Sequence, residues 1–374
     1  MTNTITAEFL KAIPKTDLHV HLDGSLRIET LIELAKDRRI PLPADDPDRL
    51  KQILNIGGIH ENLESYLRVF DTTLKVLQDE DALTRTAYEL AEDAALENCR
   101  YIEVRYSPVL HQREGLSLPV IVEAVAEGLR MAKKKFGIMS GQIICGMRHM
   151  HPQVSLRLAE LAVAFKHKGV VGFDLAGGEI NNPADHHAEA FKFIRKNNLN
   201  STVHAGEAYG PRSIHQAIHD CNAHRIGHGT RLREDGDLLN YVNDHRIPLE
   251  ACLKSNVQTG AVDAVENHPL KFYMDFGLRI TLNTDNRLVT DTTITDEYKL
   301  ACQIFHLTYD EIKRLVVDGF KSAFMPFRKK REVMQKILIE FDEVSKAHGL
   351  KSEIPERGIS RYAVDLAGED PMQD

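Results

Sequence analysis

The sequence predicts a (β/α)8 barrel, in which eight parallel strands alternate with helices. Eight short apolar runs, rich in β-branched residues, each end in polar or glycine residues, as buried parallel strands do. The segments between several of these runs place apolar residues at i, i+3, i+4 and i+7, which is typical of helices with one face on a sheet. The chain has 374 residues, and such barrels have about 250 residues, or over 400 with insertions.

The eight predicted strands lie along the chain in the order that a barrel requires. They cover residues 16–23, 99–108, 141–150, 169–178, 200–207, 224–229, 247–256 and 279–286. Residues 82–98 and 119–137 are predicted helices between strands, and residues 327–349 form a predicted amphipathic helix after the last strand. Because no repeat, low-complexity tract or linker divides the chain, we expect residues 1–374 to form a single barrel domain.

The connection between the first two predicted strands, residues 24–98, is unusually long. Connections of this length are usually functional lids or disordered segments. The spacing of the apolar residues Leu63, Tyr66, Leu67 and Phe70 favours an ordered helical lid at about residues 56–75. Leu67 and Phe70 could line an apolar pocket or pack in the core. The polar tail at about residues 350–374 is predicted to be loose.

Composition excludes several classes of partner. The 47 basic and 55 acidic side chains give a net charge of −8, which argues against binding to nucleic acid. No run of about 18 apolar residues is present, so we expect no membrane-spanning helix. The N-terminus lacks the features of a signal peptide, and the five cysteines include no C-x-x-C pair. A cytoplasmic protein with reduced thiols is therefore expected, and the sequence does not indicate its oligomeric state.

Two histidines on the first predicted strand are candidate metal ligands. His19 and His21 are two residues apart, so both side chains leave the same face of the strand. Because Leu18, Val20 and Leu22 need burial against helices, the histidines should face the barrel interior. Two such imidazoles at the end of a strand can bind a metal ion. An isolated H-x-H pair, however, is as readily explained by two hydrogen-bonded core histidines.

Three more candidate residues end other strands, namely His204, His228 and Asp285. Active sites of barrel enzymes lie at the C-terminal ends of the strands. Each of the three alone would more often be structural, but with His19 and His21 they form a nitrogen and oxygen donor set. This set suits Zn²⁺ or another borderline divalent cation.

Glu207, three residues after His204, is the candidate general acid and base. Desolvation in a shielded pocket can keep a carboxyl group partly neutral, so that it can move a proton at neutral pH. The alternative is a glutamate in a surface loop, or one at a helix N-terminus that the helix dipole favours.

Other catalytic motifs are incomplete or absent. His187 and Glu189 match the H-x-E of small zinc base deaminases, but no P-C-x-x-C motif completes it. H-E-x-x-H, G-x-S-x-G and G-K-[ST] do not occur. His186 and His187 are predicted to be solvated loop residues, and His149 is a candidate outer member of the pocket.

Between about Lys15 and Thr295 the chain resembles the adenosine deaminase family of metal-dependent amidohydrolases. The resemblance rests on HVHLDG, YIEVRYSP, GFDLAGGE, HAGEAYGP, RIGHG and LNTDN, which occur in the expected order. It implies a hydrolase of purine salvage with one zinc ion per chain. The substrates would be the purine nucleosides adenosine and 2′-deoxyadenosine, whose 6-amino group is replaced by oxygen with release of ammonia.

The resemblance also implies a role for each matching residue. The zinc ligands would be His19, His21, His204 and Asp285. Glu207 would protonate the ring nitrogen next to the attacked carbon, and Asp285 could also accept a hydrogen bond from the attacking water. His228 would orient that water or take a proton from it. The substrate would contact His21, Asp23 near the ribose 5′ end, the backbone of Gly177, and Asn286. Ser255 is a candidate for the pocket wall.

Asn286 departs from the family pattern and leaves the exact substrate open. Many members have a second aspartate here, which contacts the five-membered ring of the purine, whereas this chain has Asn286 followed by Arg287. An asparagine can donate or accept a hydrogen bond, but a contact that relies on negative charge would be weaker.

Several alternative functions therefore remain open. They are a deaminase of free adenine or of another 6-aminopurine, an amidohydrolase of cyclic amides or esters, and a non-catalytic barrel that serves as a binding module. Asp23 favours a nucleoside over a free base. AMP is disfavoured because Asp23 would repel its phosphate and no cluster of basic residues lies in the strand-end loops.

Overall fold

An eight-stranded parallel sheet, ordered β1 to β8, forms the centre of the computed structural model, which describes residues 4–352. The strands are β1 (Lys15–His21), β2 (Cys99–Tyr106), β3 (Met139–Met147), β4 (Val170–Ala176), β5 (Asn200–Ala205), β6 (Arg225–His228), β7 (Leu249–Ala251) and β8 (Ile280–Leu282). Each strand overlaps one of the eight predicted apolar runs. The prediction of a (β/α)8 barrel is confirmed.

Helices cover the outside of the barrel and fill the long first connection. In the described part of the chain they are α1 (Ala7–Ala12), α2 (Ile28–Asp37), α3 (Pro47–Ile53), α4 (Leu63–Leu67), α5 (Phe70–Val76), α6 (Glu80–Leu96), α7 (Leu118–Phe136), α8 (Pro152–Ala164), α9 (Ala188–Lys196), α10 (Pro211–His219), α11 (Gly236–Asp244), α12 (Leu253–Gln258), α13 (Leu270–Phe276), α14 (Ile294–Phe305), α15 (Tyr309–Ser322) and α16 (Phe327–Ala347). Within residues 4–352, no helix combines the length and the apolar character needed to cross a membrane.

The segment predicted as a lid contains the short helices α4 and α5. Leu63, Tyr66 and Val69 are buried and pack with Val289, which follows the last strand. This small apolar cluster holds the segment against the C-terminal end of the barrel. Of the predicted loose tail, Leu350 is buried in the core, and residues 353–374 lie outside the described residues.

The barrel closes between its first and last strands. Val20 of β1 forms a parallel bridge with Asp285, just beyond β8. The N–H of His21 donates to the carbonyl of Asp285 at 2.7 Å, and the N–H of Asp285 donates to the carbonyl of His19 at 2.8 Å. The backbone of three predicted metal ligands is therefore fixed by the seam that closes the barrel.

Charged side chains occupy the barrel interior below this seam. Arg105 donates to Asp174 at 3.0 Å and to Glu250 at 2.9 Å. Arg225 donates to Glu250 at 2.5 Å and to Glu103 at 2.6 Å. All five side chains are buried. Because an unpaired buried charge is very costly, each guanidinium group faces two carboxylates and the network must be complete for the barrel to be stable.

Helices α6 and α7 approach each other closely at Gly128. A methyl group added there would lie 2.8 Å from the backbone nitrogen of Tyr88 and even closer to the carbonyl oxygen of Thr84. Backbone atoms of a packed helix cannot rotate away as a side chain can, so this crossing requires glycine.

Replacing Gly128 with alanine should therefore destabilise the protein. We expect the free energy of unfolding to fall by about 1–3 kcal/mol, the usual range for an overpacked core. Gly236→Ala is the matched control, because a methyl group at the start of α11 meets no atom within 4 Å. Urea unfolding followed by circular dichroism measures both variants. An unchanged midpoint for Gly128→Ala would show that the crossing tolerates a larger residue.

Candidate active site and metal centre

Four of the predicted metal ligands converge at the C-terminal end of the barrel. Nε2 of His21 lies 3.1 Å from Nε2 of His204. Oδ1 of Asp285 lies 3.4 Å from Nε2 of His19 and 3.4 Å from Nε2 of His21. One ligand atom from each of the four residues lies within 4.8 Å of the others. The strand order thus brings together residues that lie far apart in the sequence.

The donor atoms of this cluster fit a divalent cation. Nδ1 of His19 lies 2.8 Å from a carboxylate oxygen of Glu250, and Nδ1 of His204 lies 3.0 Å from one of Asp174. A carboxylate only accepts, so each Nδ1 carries the hydrogen and each Nε2 offers a lone pair. Nε2 of His19 is buried without a hydrogen-bond partner. Metal-binding histidines commonly have this arrangement, with a carboxylate behind the ligand.

The surroundings set the charge of these imidazoles. Burial, reinforced by the nearby Arg105 cation, lowers the pKa of His19 to about 4. Burial also lowers the pKa of His21 well below its ordinary value. For His204, burial acts in the same direction, but the charge of Asp174 and its hydrogen bond to the ring together outweigh burial and raise the pKa. At neutral pH, His19 and His21 are therefore in the neutral form that binds metals.

Two site residues have left-handed backbone conformations. His228 has a φ of 64° and Asp285 a φ of 60°. Such a conformation costs roughly 1–3 kcal/mol for a residue other than glycine, and it persists only where the surroundings impose it. For Asp285 the hydrogen bonds of the seam do so. Both residues with this strained backbone therefore belong to the candidate site.

Glu207 stands beside the cluster, with both carboxylate oxygens near polar groups. Thr259 donates to Oε1 at 3.0 Å, and Nε2 of His228 lies 3.5 Å from Oε2. Burial raises the pKa of Glu207 above its ordinary value. A carboxyl group in this state can hold a proton closer to neutral pH, as a general acid requires.

The loop that carries Glu207 is held by another carboxylate, Glu179. Its oxygens accept the N–H groups of residues 206, 207, 208 and 209 at 2.6–3.1 Å. From the other side, the N–H of Arg231 donates to the carbonyl of Gly206 at 3.1 Å. The loop is thus pinned between the ends of β4 and β6.

A cavity of about 300 Å³ lies above the cluster. His21, His204, His228, Glu207 and Asp285 form part of its lining, as do Asp23, His149, Gly177 and Asn286. Leu63, Tyr66, Leu67 and Phe70 of the lid line it as well. Its volume is at the lower end of the range for small-molecule sites.

Two polar atoms near this cavity are buried without hydrogen-bond partners. They are Oδ1 of Asp23 and Oδ1 of Asn286. Burial raises the pKa of Asp23 to about 7. Nδ2 of Asn286 donates to the Tyr66 hydroxyl at 2.9 Å, which in turn lies 2.7 Å from the Thr290 hydroxyl. The segment predicted as a lid is therefore hydrogen-bonded to Asn286, a predicted substrate contact.

Comparison with known proteins identifies the family. The family model described as adenosine deaminase matches residues 14–339. The chain belongs to the adenosine deaminase family. A probable adenosine deaminase of Dictyostelium discoideum is 41% identical over 86% of this chain, which spans only 42% of that longer protein. An adenosine deaminase of Clostridium kluyveri is 38% identical over 85% of this chain and 91% of its own length.

A solved structure extends this relationship to the fold. An adenine deaminase from Arthrobacter aurescens superposes with a TM-score of 0.83 at 27% identity, covering 90% of this chain and 100% of that one. The architecture of this member of the adenosine deaminase family is therefore shared with a deaminase of a free purine base.

Two sequence-based interpretations of individual residues need correction or refinement. His186 is exposed as predicted, but His187 is buried, with Nδ1 2.8 Å from the Ser155 hydroxyl and Nε2 3.2 Å from the carbonyl of Arg148. The prediction was wrong because the short turn before α9 directs its last residue inward. Ser255 donates to Oδ2 of Asp285 at 2.6 Å, so it supports a candidate ligand.

Several residues that hydrogen-bond to the candidate site residues were not predicted from the sequence. Asp174 and Glu250 each carried a signal, since they are charged residues within apolar strand runs. Asn256, Thr259 and His268 gave no comparable signal because they follow β7 in a polar stretch. Their roles depend on contacts between segments that are distant in the sequence.

Metal binding should follow the geometry of the cluster. We expect protein stripped of metal by a chelator to bind about one Zn²⁺ per chain in a calorimetric titration. At free Zn²⁺ of 100 times the Kd, the protein should be stabilised by about 2.7 kcal/mol, measured by thermal unfolding. His21→Ala should lose both effects, whereas His215→Ala, an exposed histidine of α10, should keep them. Undiminished binding by His21→Ala would place the metal elsewhere.

Proposed function

We propose that this chain catalyses the hydrolytic deamination of adenosine and 2′-deoxyadenosine to the inosine nucleosides and ammonia, as in purine salvage. The observation that carries the proposal is the buried cluster of three imidazoles and one carboxylate beside Glu207, whose pKa is raised by burial. This arrangement faces a cavity of nucleoside dimensions in a chain of the adenosine deaminase family.

We propose that His19, His21, His204 and Asp285 hold one zinc ion per chain. When bound, such an ion is a Lewis acid that lowers the pKa of water from about 15.7 to about 7, so that hydroxide is available at neutral pH. Glu250 and Asp174 support this set because they fix which nitrogen of His19 and His204 faces the ion.

Glu207 supplies the proton that the ring needs. When oxygen adds to the carbon that bears the amino group, an electron pair moves onto the neighbouring ring nitrogen. Protonation of this nitrogen by Glu207 prevents negative charge from accumulating in the ring. The hydrogen bond from Thr259 and the four N–H groups held by Glu179 keep this carboxyl in place. Fixed geometry of this kind contributes to the rate because little reorganisation is needed.

We assign substrate-binding roles to residues around the cavity. Asp23 receives the ribose 5′-hydroxyl, the backbone of Gly177 meets the purine, and Asn286 faces its five-membered ring. A side chain at Gly177 would crowd Met147 and His149, with a Cβ 3.3 Å and 3.4 Å from their nearest atoms. The apolar side chains of α4 and α5 exclude water from above.

Free adenine is the second candidate substrate. The structural similarity to an adenine deaminase favours it. The buried, unpartnered Oδ1 of Asp23 favours a nucleoside instead, because a nucleoside supplies a hydroxyl donor that a free base lacks. AMP is disfavoured because its phosphate would face this carboxyl. A non-catalytic barrel is disfavoured because every candidate catalytic side chain is present and in contact with its partners.

An ultraviolet assay distinguishes these substrates. We expect the zinc-loaded protein to convert adenosine and deoxyadenosine, with much slower conversion of adenine and AMP. Removal of metal by a chelator should abolish the reaction, and added Zn²⁺ should restore it. No spectral change with any of the four compounds would refute the proposed function, and a preference for adenine would support the second candidate.

The substitution Glu207→Gln tests whether Glu207 is the general acid. The amide cannot deliver a proton at neutral pH, so we expect kcat to fall by about 10²–10⁴-fold while zinc content stays near one per chain. Glu189→Gln removes the same charge from an exposed residue of α9 and serves as the control. Near-normal turnover by Glu207→Gln, with unchanged zinc, would exclude Glu207 from proton transfer.

A further inference from the structure

A chain of three hydrogen bonds connects the backbone of α13 to His228. The N–H of Leu270 donates to Nδ1 of His268 at 3.1 Å. Nε2 of His268 lies 3.2 Å from Oδ1 of Asn256, and Nδ2 of Asn256 lies 3.0 Å from Nδ1 of His228. His268, Asn256 and His228 are all buried. None of these bonds involves the metal cluster.

The backbone N–H of Leu270 determines the donor-to-acceptor direction of this series of hydrogen bonds. The N–H of Leu270 can only donate, so Nδ1 of His268 must accept. Burial lowers the pKa of His268 to about 3, and the ring is therefore neutral, with one donor and one acceptor nitrogen. Since Nδ1 accepts, the hydrogen lies on Nε2, and His268 donates to Oδ1 of Asn256.

Asn256 transmits this direction to His228. Because Oδ1 accepts from His268, it is the amide nitrogen that faces His228, and an amide nitrogen only donates. Nδ1 of His228 must then accept, so neutral His228 carries its hydrogen on Nε2. The Oε2 atom of Glu207, 3.5 Å from that nitrogen, is an acceptor in the ionised carboxylate and is consistent with an N–H at this position.

We propose that His268 is a positioning residue that, through Asn256, holds His228 in the Nε2–H tautomer, so that His228 donates to the attacking water and takes no proton from it. The role of the water rests on the proposed function, whereas the tautomer does not. When the water has lost a proton, its oxygen has three lone pairs, and a hydrogen bond from His228 to one of them helps to direct another towards the ring carbon. Asp285 is then the acceptor that the site offers to a hydrogen of the water, because Glu207 delivers its own proton to the ring nitrogen.

The substitution Asn256→Asp reverses the direction of these hydrogen bonds, and the new side chain has nearly the same size as asparagine. The new carboxylate accepts from Nε2–H of His268 and requires a hydrogen on Nδ1 of His228, which makes Nε2 of the neutral ring an acceptor. At about pH 9, above the usual pKa range of histidine, we expect kcat to fall about 10²-fold, as when a reacting group is misplaced by about 1 Å. KM and zinc content should change little.

The opposite result would overturn the proposal. A histidine that serves as a base works better with a carboxylate behind it, so kcat at or above the wild-type value in Asn256→Asp would show that His228 accepts a proton. Asn181→Asp adds the same charge at an exposed loop residue and controls for electrostatic effects. His268→Gln keeps an N–H towards Asn256, and we expect it to lose far less activity than Asn256→Asp. An equal loss would also count against the proposal.

The tautomer of His228 can be measured directly by NMR in the wild-type chain, without an activity assay. In the wild-type chain with ¹⁵N-labelled histidine, we expect Nε2 of His228 to show the shift of a protonated nitrogen and Nδ1 that of an unprotonated one. His228→Asn identifies the signals. The reverse pattern would refute the role of His268. Failure of the wild-type chain to convert adenosine would refute the proposed function and leave this measurement valid.

Discussion

The buried carboxylate of Glu250 is the contact on which the rest of the site depends. It joins both arginines of the barrel interior and also contacts Nδ1 of His19. A charge at this depth is tolerable only with its full set of partners. The same bonds that pair the buried charges of the interior therefore also fix the ring orientation of a candidate metal ligand. Stability and metal binding cannot be varied independently at this position.

Hydrogen-bond direction is a second constraint, and backbone groups provide it. Side-chain amides and imidazoles can usually be reversed, but a backbone N–H cannot. Glu179 gathers four such groups around the loop of Glu207, and Leu270 supplies one to His268. In both cases the donor is a backbone group whose direction cannot be reversed. The backbone therefore determines part of the hydrogen-bond direction in the site.

Features that arise from local sequence patterns could be predicted, whereas features that depend on contacts between distant segments could not. The alternation of His19 and His21 with apolar neighbours was sufficient to predict their direction, because a strand has a period of two. His204 and His228 could be predicted as well, because each ends an apolar run of a predicted strand. The left-handed backbone of His228 and Asp285 was not, because the barrel seam and neighbouring loops impose it. For His186 and His187 the residue type was the same, and only packing on α8 separated the buried ring from the exposed one.

The seam between β1 and Asp285 has a consequence for the synthesis of the protein. A ribosome makes His19 and His21 more than 260 residues before Asp285. Until that residue emerges, the nascent chain carries imidazoles without their carboxylate, and the strand that bears them lacks its last neighbour. Completion of the candidate metal site and closure of the barrel therefore belong to the same late step. A truncated product that ends before this step would have neither a closed sheet nor a complete site, which makes it a clear target for proteolysis.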